Sequence, residues 1–393
     1  MKRRLRVAFL YNHEGGHQAR HSAPVIPALL AQYPDLDITV LASSDTLLET
    51  VRGLAGSVAE DRCRFLKIGA PAWHKPFARV LDLVLPFSRL DNLYSNAALF
   101  SRFDAVIVTE GTSLFLRKLD GLEHLKIIRI DHGAGDRSIG FTKSFGGNDL
   151  VLLHGPKQRE RFLELGYLRP EQIAVIGYPK FDTVDIAAGR ARKFFANSKP
   201  VVLYNPHPEP RLSSWYDMGL DVLEYFYNST ECNLIFAPHI MLFKRRLHAT
   251  VEGLTARWRK DLPAKYFSCP HIHVDLGSPA SFDMTYTLAA DIYLGDVSSQ
   301  VYEFLIAPRP CIFINTHKAD WKNDPNYAFW HFGPVVNNIA ELDRALHASP
   351  ATYEKYRPAQ EQALAKTFDR RDTPASVRAA TAIGDFLKSL VSV

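Results

Sequence analysis

The stretch DIYLGDVSSQVYEFLIAPRPCIFIN, Asp291–Asn315, decides the fold. It opens on a short apolar run, Ile292–Gly295, of strand length. Asp296, Ser298 and Ser299 follow, and serine is a favoured helix N-cap. An apolar segment containing Glu303 then reads as a helix over Ser299–Ala307. Arg309–Pro310 closes it, and a second apolar run, Cys311–Ile314, returns. Strand, helix and buried strand in succession make a βαβ unit, which builds parallel sheets.

The same alternation extends in both directions. Strands are expected at Leu5–Tyr11, Ile38–Ala42, Arg64–Ile68, Ala105–Thr109, Lys126–Ile130, Leu150–Leu153 and Ile173–Ile176. A second series is expected at Val201–Tyr204, Asn233–Ala237, Ile272–Asp275, Ile292–Gly295 and Cys311–Ile314. Helical patterns cover Ala23–Tyr33, Pro156–Leu165, Trp215–Tyr227 and Thr373–Leu390, the last with Thr373 as N-cap and Pro374 at its first position. Between the two series lies AAGRARKFFANSKP, which is basic and helix-prone and ends in Ser-Lys-Pro. The expectation is two doubly wound α/β domains, 1–185 and 198–372, followed by a C-terminal helix in 373–393 that packs back toward the first domain.

Composition fits an ordinary globular protein. The chain has 393 residues, 47% hydrophobic and 23% charged, which suits two domains. A net charge of +5 is compatible with an anionic substrate or membrane surface, and no nucleic-acid-binding signature accompanies it. Four cysteines without C-x-x-C spacing read as reduced thiols of a cytoplasmic protein. MKRRLRVAFLYN reads as a first strand rather than a signal peptide, and no apolar run reaches the ~18 residues of a membrane span.

Doubly wound folds bind ligands beyond the carboxyl ends of their strands, so those loops carry the candidate chemistry. In Asn12–His21, HEGGH matches the zinc-protease pattern H-E-x-x-H. That chemistry needs a continuous helix, and two central glycines directly after a strand oppose one. Gly15, Gly16 and His17 read instead as a turn offering backbone N–H groups to an acceptor or phosphate. Asp131–His132–Gly133 delivers a histidine suited to accept a proton, with Asp131 orienting it or pairing with Arg137. Gly177–Asp182 (GYPKFD) reads as a turn or hinge. Tyr204–Pro210 and Phe236–Leu242 both carry Pro-His, with Lys244, Arg245 and Arg246 nearby, and suit charge stabilisation on a phosphate. Asp296, Ser298 and Ser299 form a phosphate cradle at a helix start. Trp73–Tyr94 is basic and amphipathic, which fits a helix packed on the sheet or one lying on a membrane.

The order of these loops resembles the CDP-glycerol glycerophosphotransferases, the teichoic-acid-type poly(glycerophosphate) transferases. The residues that carry the resemblance are DHG at Asp131–Gly133, GYPKFD at Gly177–Asp182, APH at Ala237–His239, DVSSQVYEFLIAPRPCIFI at Asp296–Ile314, and Asp372, Ser376 and Arg378. It covers about the last two thirds of the chain from the DHG loop. Asp131 stands where the family usually has an aromatic residue. The resemblance implies a GT-B fold with two Rossmann-like domains facing a central cleft. It implies a CDP-polyol donor and a glycan, polymer or lipid-linked acceptor, while the Trp73–Tyr94 stretch is what fits a cytoplasmic protein peripheral to the inner face of the cell membrane. By the same resemblance His132 is the base and His239 stabilises the transferring phosphate, with Arg245 or Arg378 as helper. Gly177, Pro179, Asp296, Ser298 and Ser299 would lie at the donor. The sequence marks no strong metal-ligand spacing and no certain cofactor, and a loosely held Mg²⁺ is compatible. Two other readings keep the fold: a UDP-sugar glycosyltransferase or 2-epimerase, and a non-catalytic nucleotide-binding scaffold.

Overall fold

The structure is a computed structural model. It describes residues 4–13, 16–82, 85–250 and 255–390. The first sheet holds seven strands: β1 (Arg6–Tyr11), β2 (Asp37–Ala42), β3 (Arg64–Lys67), β4 (Ala105–Val108), β5 (Lys126–Ile130), β6 (Leu150–Leu153) and β7 (Ile173–Val175). Their order is β3-β2-β1-β4-β5-β6-β7, with every neighbouring pair parallel.

Alternation along β1 explains the layers. Val7, Phe9 and Tyr11 point to one face, where they meet the helices Val25–Gln32, Asp45–Ala55 and Ala375–Ser389. Ala8 and Leu10 point to the other face, with Leu93, Phe100 and Leu116. The helix Ala375–Ser389 is as much part of this core as β1, since Ile383 and Leu387 are buried in it. Its Gly384 permits the approach of Tyr33: a Cβ there would lie 2.0 Å from the Tyr33 ring.

The second sheet contains β8 (Val201–Asn205), β9 (Asn233–Phe236), β12 (Ile272–Val274), β13 (Ile292–Gly295), β14 (Cys311–Ile314) and β15 (Val335–Val336). The order is β12-β9-β8-β13-β14-β15, again all parallel. Between β9 and β12 the chain makes an antiparallel pair, β10 (Leu247–Thr250) with β11 (Thr255–Trp258). Val202 and Tyr204 pack with Val222, Leu223, Phe226 and Leu342. Trp215–Tyr227, read as one helix, is a π turn at Trp215–Gly219 that continues as the α-helix Leu220–Asn228.

The chain divides into two compact units. One comprises Met1–Gly133, Phe141–Thr183 and Ala365–Val393, and the other Ala134–Gly140 and Val184–Leu364. Two segments are therefore drawn differently from the sequence-based bounds. Ala134–Gly140, inside the expected first domain, groups with the second unit. The return to the first unit begins at Ala365, within the helix Ile339–Thr367, rather than at 373. Among the described residues no helix is long and apolar enough to cross a membrane.

Candidate active site

In each sheet the strand order reverses at one place, β1 beside β4 and β8 beside β13, and such switch points are where open α/β sheets bind ligands. At the second, β13 delivers Asp296. Its carboxylate is buried and fully engaged. Oδ1 accepts from the His207 N–H at 2.9 Å and the Val297 N–H at 2.7 Å. Oδ2 accepts from the Ser214 N–H at 2.6 Å and the Ser214 hydroxyl at 2.9 Å. The Trp330 indole N–H donates to the Asp296 carbonyl at 2.7 Å. Burial pushes the carboxyl pKa up to about 6 in spite of these bonds. These contacts fit a role in positioning the turn and leave little of the carboxylate for the donor.

Ser298 is buried, and its hydroxyl accepts from the Gln300 N–H at 3.3 Å, while Ser299 is exposed. The helix that follows runs only Gln300–Phe304, shorter than the expected Ser299–Ala307. Arg309 accounts for its end. The buried guanidinium donates to the Phe304 carbonyl at 2.6 Å, taking over an acceptor a longer helix would use, and to the Thr287 carbonyl at 2.9 Å.

The segment Ala134–Gly140 packs onto this turn within the same unit. A Cβ on Gly135 would sit 3.3 Å from that of Ser299. The Tyr302 hydroxyl donates to Asp136 at 2.5 Å, Arg137 pairs with Glu209 at 3.3 Å, and the Ser138 N–H donates to Asn326 at 2.7 Å.

β8 and β9 deliver two histidines, His207 and His239, with ring centroids 5.8 Å apart. In His207, Nδ1 accepts from the Glu209 N–H at 3.1 Å, and in His239, Nδ1 accepts from the Met241 N–H at 3.2 Å. A backbone N–H can only donate, so both Nδ1 atoms are bare and each neutral ring carries its proton on Nε2. Burial lowers both pKa values, His207 well below the usual range and His239 to about 4, with Lys244 adding to the fall at His239. At neutral pH this is a pair of neutral Nε2–H donors. Arg245, proposed from sequence as a helper, has an exposed side chain, and its carbonyl accepts from His248 at 3.1 Å.

In the first unit His132 has the opposite tautomer. Its Nδ1 lies 2.6 Å from the Thr109 carbonyl, which can only accept. Nδ1 therefore carries the proton and Nε2 is the free acceptor. The Thr109 hydroxyl in turn donates to Gln18 Oε1 at 3.1 Å, which ties this support to the loop after β1. Asp131 neither orients His132 nor pairs with Arg137, and both expectations are corrected here. Asp131, the first residue past the end of β5, pairs instead with Arg129 at 3.3 Å. Gln158 Nε2 donates to Asp131 Oδ2 at 2.8 Å.

Of the glycine turn, Glu14 and Gly15 lie outside the described residues. Gly16–His21 forms a 3-10 helix, and the His13 and His17 rings are 6.1 Å apart. His21 stands 5.0 Å from the Tyr178 ring and 6.2 Å from that of His132, and burial holds its pKa well below the usual range. Among the described residues, no three His, Cys, Asp or Glu side chains are placed to hold a metal ion.

Gly177, Pro179 and Arg378, expected at the donor, are brought together with the C-terminal segment. Gly177 has φ +85°, and a Cβ there would lie 2.2 Å from the Arg378 guanidinium and 2.8 Å from the Asp369 carbonyl. Arg378 pairs with Asp369 at 2.9 Å and has a buried Nε without a partner among the described residues. Pro179 is buried in the turn that follows. Asp182 accepts from the backbone N–H groups of Ser376 at 2.7 Å and Ala375 at 3.3 Å. It thereby caps the terminal helix, where Thr373 was expected to do so; Pro374 occupies the N-cap position. Gly177→Ala is expected to destabilise the protein by about 3 kcal/mol, from left-handed strain and the clash together. Urea unfolding of the variant beside wild type measures this.

Sequence reasoning missed Ser214, Thr109 and Gln18. Thr109 acts through its carbonyl, which leaves no mark of residue type, Gln18 accepts from the Thr109 hydroxyl, and Ser214 acts through both its N–H and its hydroxyl.

Two parallel α/β sheets of seven and six strands in one chain form a GT-B type fold. No family model matches the sequence, and no curated protein matches it. Solved structures do match. One is the wall teichoic acid polymerase TagF, as a variant soaked with CDPG, with a TM-score of 0.59 and 16% identity over 98% of this chain and 88% of that one. Another is the UDP-GlcNAc 2-epimerase of Neisseria meningitidis bound to UDP-GlcNAc, with a TM-score of 0.60 and 13% identity over 98% of this chain and 100% of that one. A putative UDP-N-acetylglucosamine 2-epimerase from Listeria monocytogenes has a TM-score of 0.55 and 14% identity over 98% and 96%.

Proposed function

We propose that the protein transfers a polyol phosphate, glycerol phosphate or a close relative, from a CDP-activated donor to an acceptor hydroxyl in the synthesis of a cell-surface polymer or glycan. The observation that carries this reading is the contrast in histidine tautomers. His207 and His239 both present Nε2–H, the form that stabilises developing negative charge on a phosphate. His132 presents a bare Nε2, the form that accepts a proton.

In this reading the acceptor oxygen attacks the phosphorus that carries the polyol. The bond from that phosphorus to the bridging oxygen breaks, and CMP leaves with the oxygen. The acceptor proton passes to His132 Nε2. His207 and His239 donate to the phosphate oxygens, and backbone groups of Ser298 and Ser299 hold the pyrophosphate. Arg378, through Nε, and Arg245 are proposed helpers. Phosphoryl transfer depends mainly on positioning and electrostatics, so these groups suffice in kind. A divalent cation such as Mg²⁺ on the pyrophosphate is compatible with the scheme, and no step here depends on it.

We place the enzyme at the cytoplasmic face of the membrane. Support comes from Trp73, Phe77, Leu81, Leu85 and Tyr94, all exposed within the amphipathic stretch read from the sequence.

The alternative donor, a UDP-sugar, draws support from the likeness to the 2-epimerases. Thermal unfolding with CDP-glycerol or UDP-GlcNAc separates the two. A donor at 100 times its Kd adds about 2.7 kcal/mol and raises Tm by several degrees. The expected result is a rise with CDP-glycerol and none with UDP-GlcNAc; the reverse result replaces this reading with the epimerase one.

A further inference from the structure

The hairpin β10–β11 is turned the unusual way round. Leu247 stands opposite Trp258, and His248 opposite Arg257. Directly opposed residues share a face. The inward face is polar: Arg257 pairs with Asp217 at 2.7 Å and lies 5.3 Å over the Tyr216 ring, and His248 donates to the Leu242 carbonyl at 3.0 Å. The outward face is apolar. Trp258 is 71% exposed and Leu247 44%. A hairpin made for water alone would put its polar face outward.

Charge surrounds this apolar pair. Residues 244–261 hold six basic and two acidic side chains, a net +4 out of +5 for the whole chain. Arg246 and Lys260 flank the hairpin and are exposed. Asp261 pairs with Arg259 at 3.1 Å and approaches Arg246 only at 3.5 Å, with both of the latter side chains largely in solvent, so it neutralises Arg246 little. An indole and an aliphatic side chain framed by cations match an anionic bilayer surface, where the ring sits at the headgroup level and the cations meet lipid phosphates. A soluble polyanion would use the cations and leave Trp258 and Leu247 in water.

We propose that the β10–β11 hairpin docks the protein on an anionic phospholipid surface. The proposal rests on the membrane-side reading above and adds to it a separate contact, borne by the second unit. Full-length protein is sedimented with vesicles of phosphatidylcholine alone or with added phosphatidylglycerol. Wild type is expected to bind the anionic vesicles and to release them in high salt. Arg246→Gln/Lys260→Gln is expected to weaken binding roughly thirtyfold, and Leu247→Ser/Trp258→Ser about tenfold. Both variants should keep the wild-type unfolding temperature and full turnover of water-soluble substrates without vesicles. Equal binding to neutral vesicles, wild-type binding by both variants, or binding of soluble polyphosphate but not vesicles overturns the proposal. Failure of the transferase reading would appear separately, as no turnover by wild type.

Discussion

His132→Ala is expected to lower kcat roughly 10²–10⁴-fold, the usual worth of a positioned general base, while the donor KM stays nearly unchanged. The reason lies in the ring's anchoring. Nδ1–H is committed to the Thr109 carbonyl, so the substitution removes one acceptor atom, Nε2. The proposed donor ligands His207, His239, Ser298 and Ser299 belong to the other unit and keep their hydrogen bonds. Steady-state kinetics with the preferred donor give both numbers. Added imidazole should restore part of the rate, since only a base is missing. Undiminished kcat in the variant would remove His132 from the mechanism, and a large rise in donor KM would move it to binding.

Asp296→Asn is expected to cost about 3–5 kcal/mol of stability, the range for breaking up a buried charged network. The carboxylate accepts four hydrogen bonds, two at each oxygen. An amide keeps one of those oxygens and points an NH₂ group at the donors of the other. Whichever way it flips, two buried donors lose their acceptor and meet another donor. Because one of the four is the His207 N–H, the loop that sets the His207 ring should shift as well. Urea unfolding gives the energy, and donor affinity gives the local effect. Unfolding at the wild-type midpoint would show that water replaces the carboxylate, and that Asp296 does not organise the turn.

Much of the architecture was legible because parallel strands buried on both faces are written as continuous apolar runs. Lys126–Ile130, Leu150–Leu153, Ile292–Gly295 and Cys311–Ile314 occur with the bounds read from sequence, and the other eight expected strands differ by a residue at an end. β15 escaped because two residues, Val335–Val336, are too short for periodicity. The hairpin strands escaped because each has only four residues, Leu247–Thr250 and Thr255–Trp258, within a basic segment that reads as a charged loop. The helix Ile339–Thr367 was hidden by Pro350 and Pro358 inside it, residues that normally argue for a break.

The site was legible at its side chains and not at its supports. His132, His239 and Asp296 were marked by residue type at strand ends. Which nitrogen of each histidine holds the proton depends on a neighbouring carbonyl or N–H, and any residue supplies those. GYPKFD and the Ser376–Arg378 segment were likewise visible as motifs. That Asp182 caps the helix starting at Ala375, 193 residues later, follows only from the folded chain.

That capping has a bearing on synthesis. β1 to β7 leave the ribosome long before Ala375–Ser389, the third of the helices that meet Val7, Phe9 and Tyr11 on one face. At ~5–20 residues per second, the interval between Asp182 and its partner helix is roughly 10–40 s. Through that interval one face of the first sheet lacks one of its three helices while the whole of Val184–Leu364 is made. The nascent chain therefore makes the whole of Val184–Leu364 before Ala375–Ser389, the helix that completes its first core, is available.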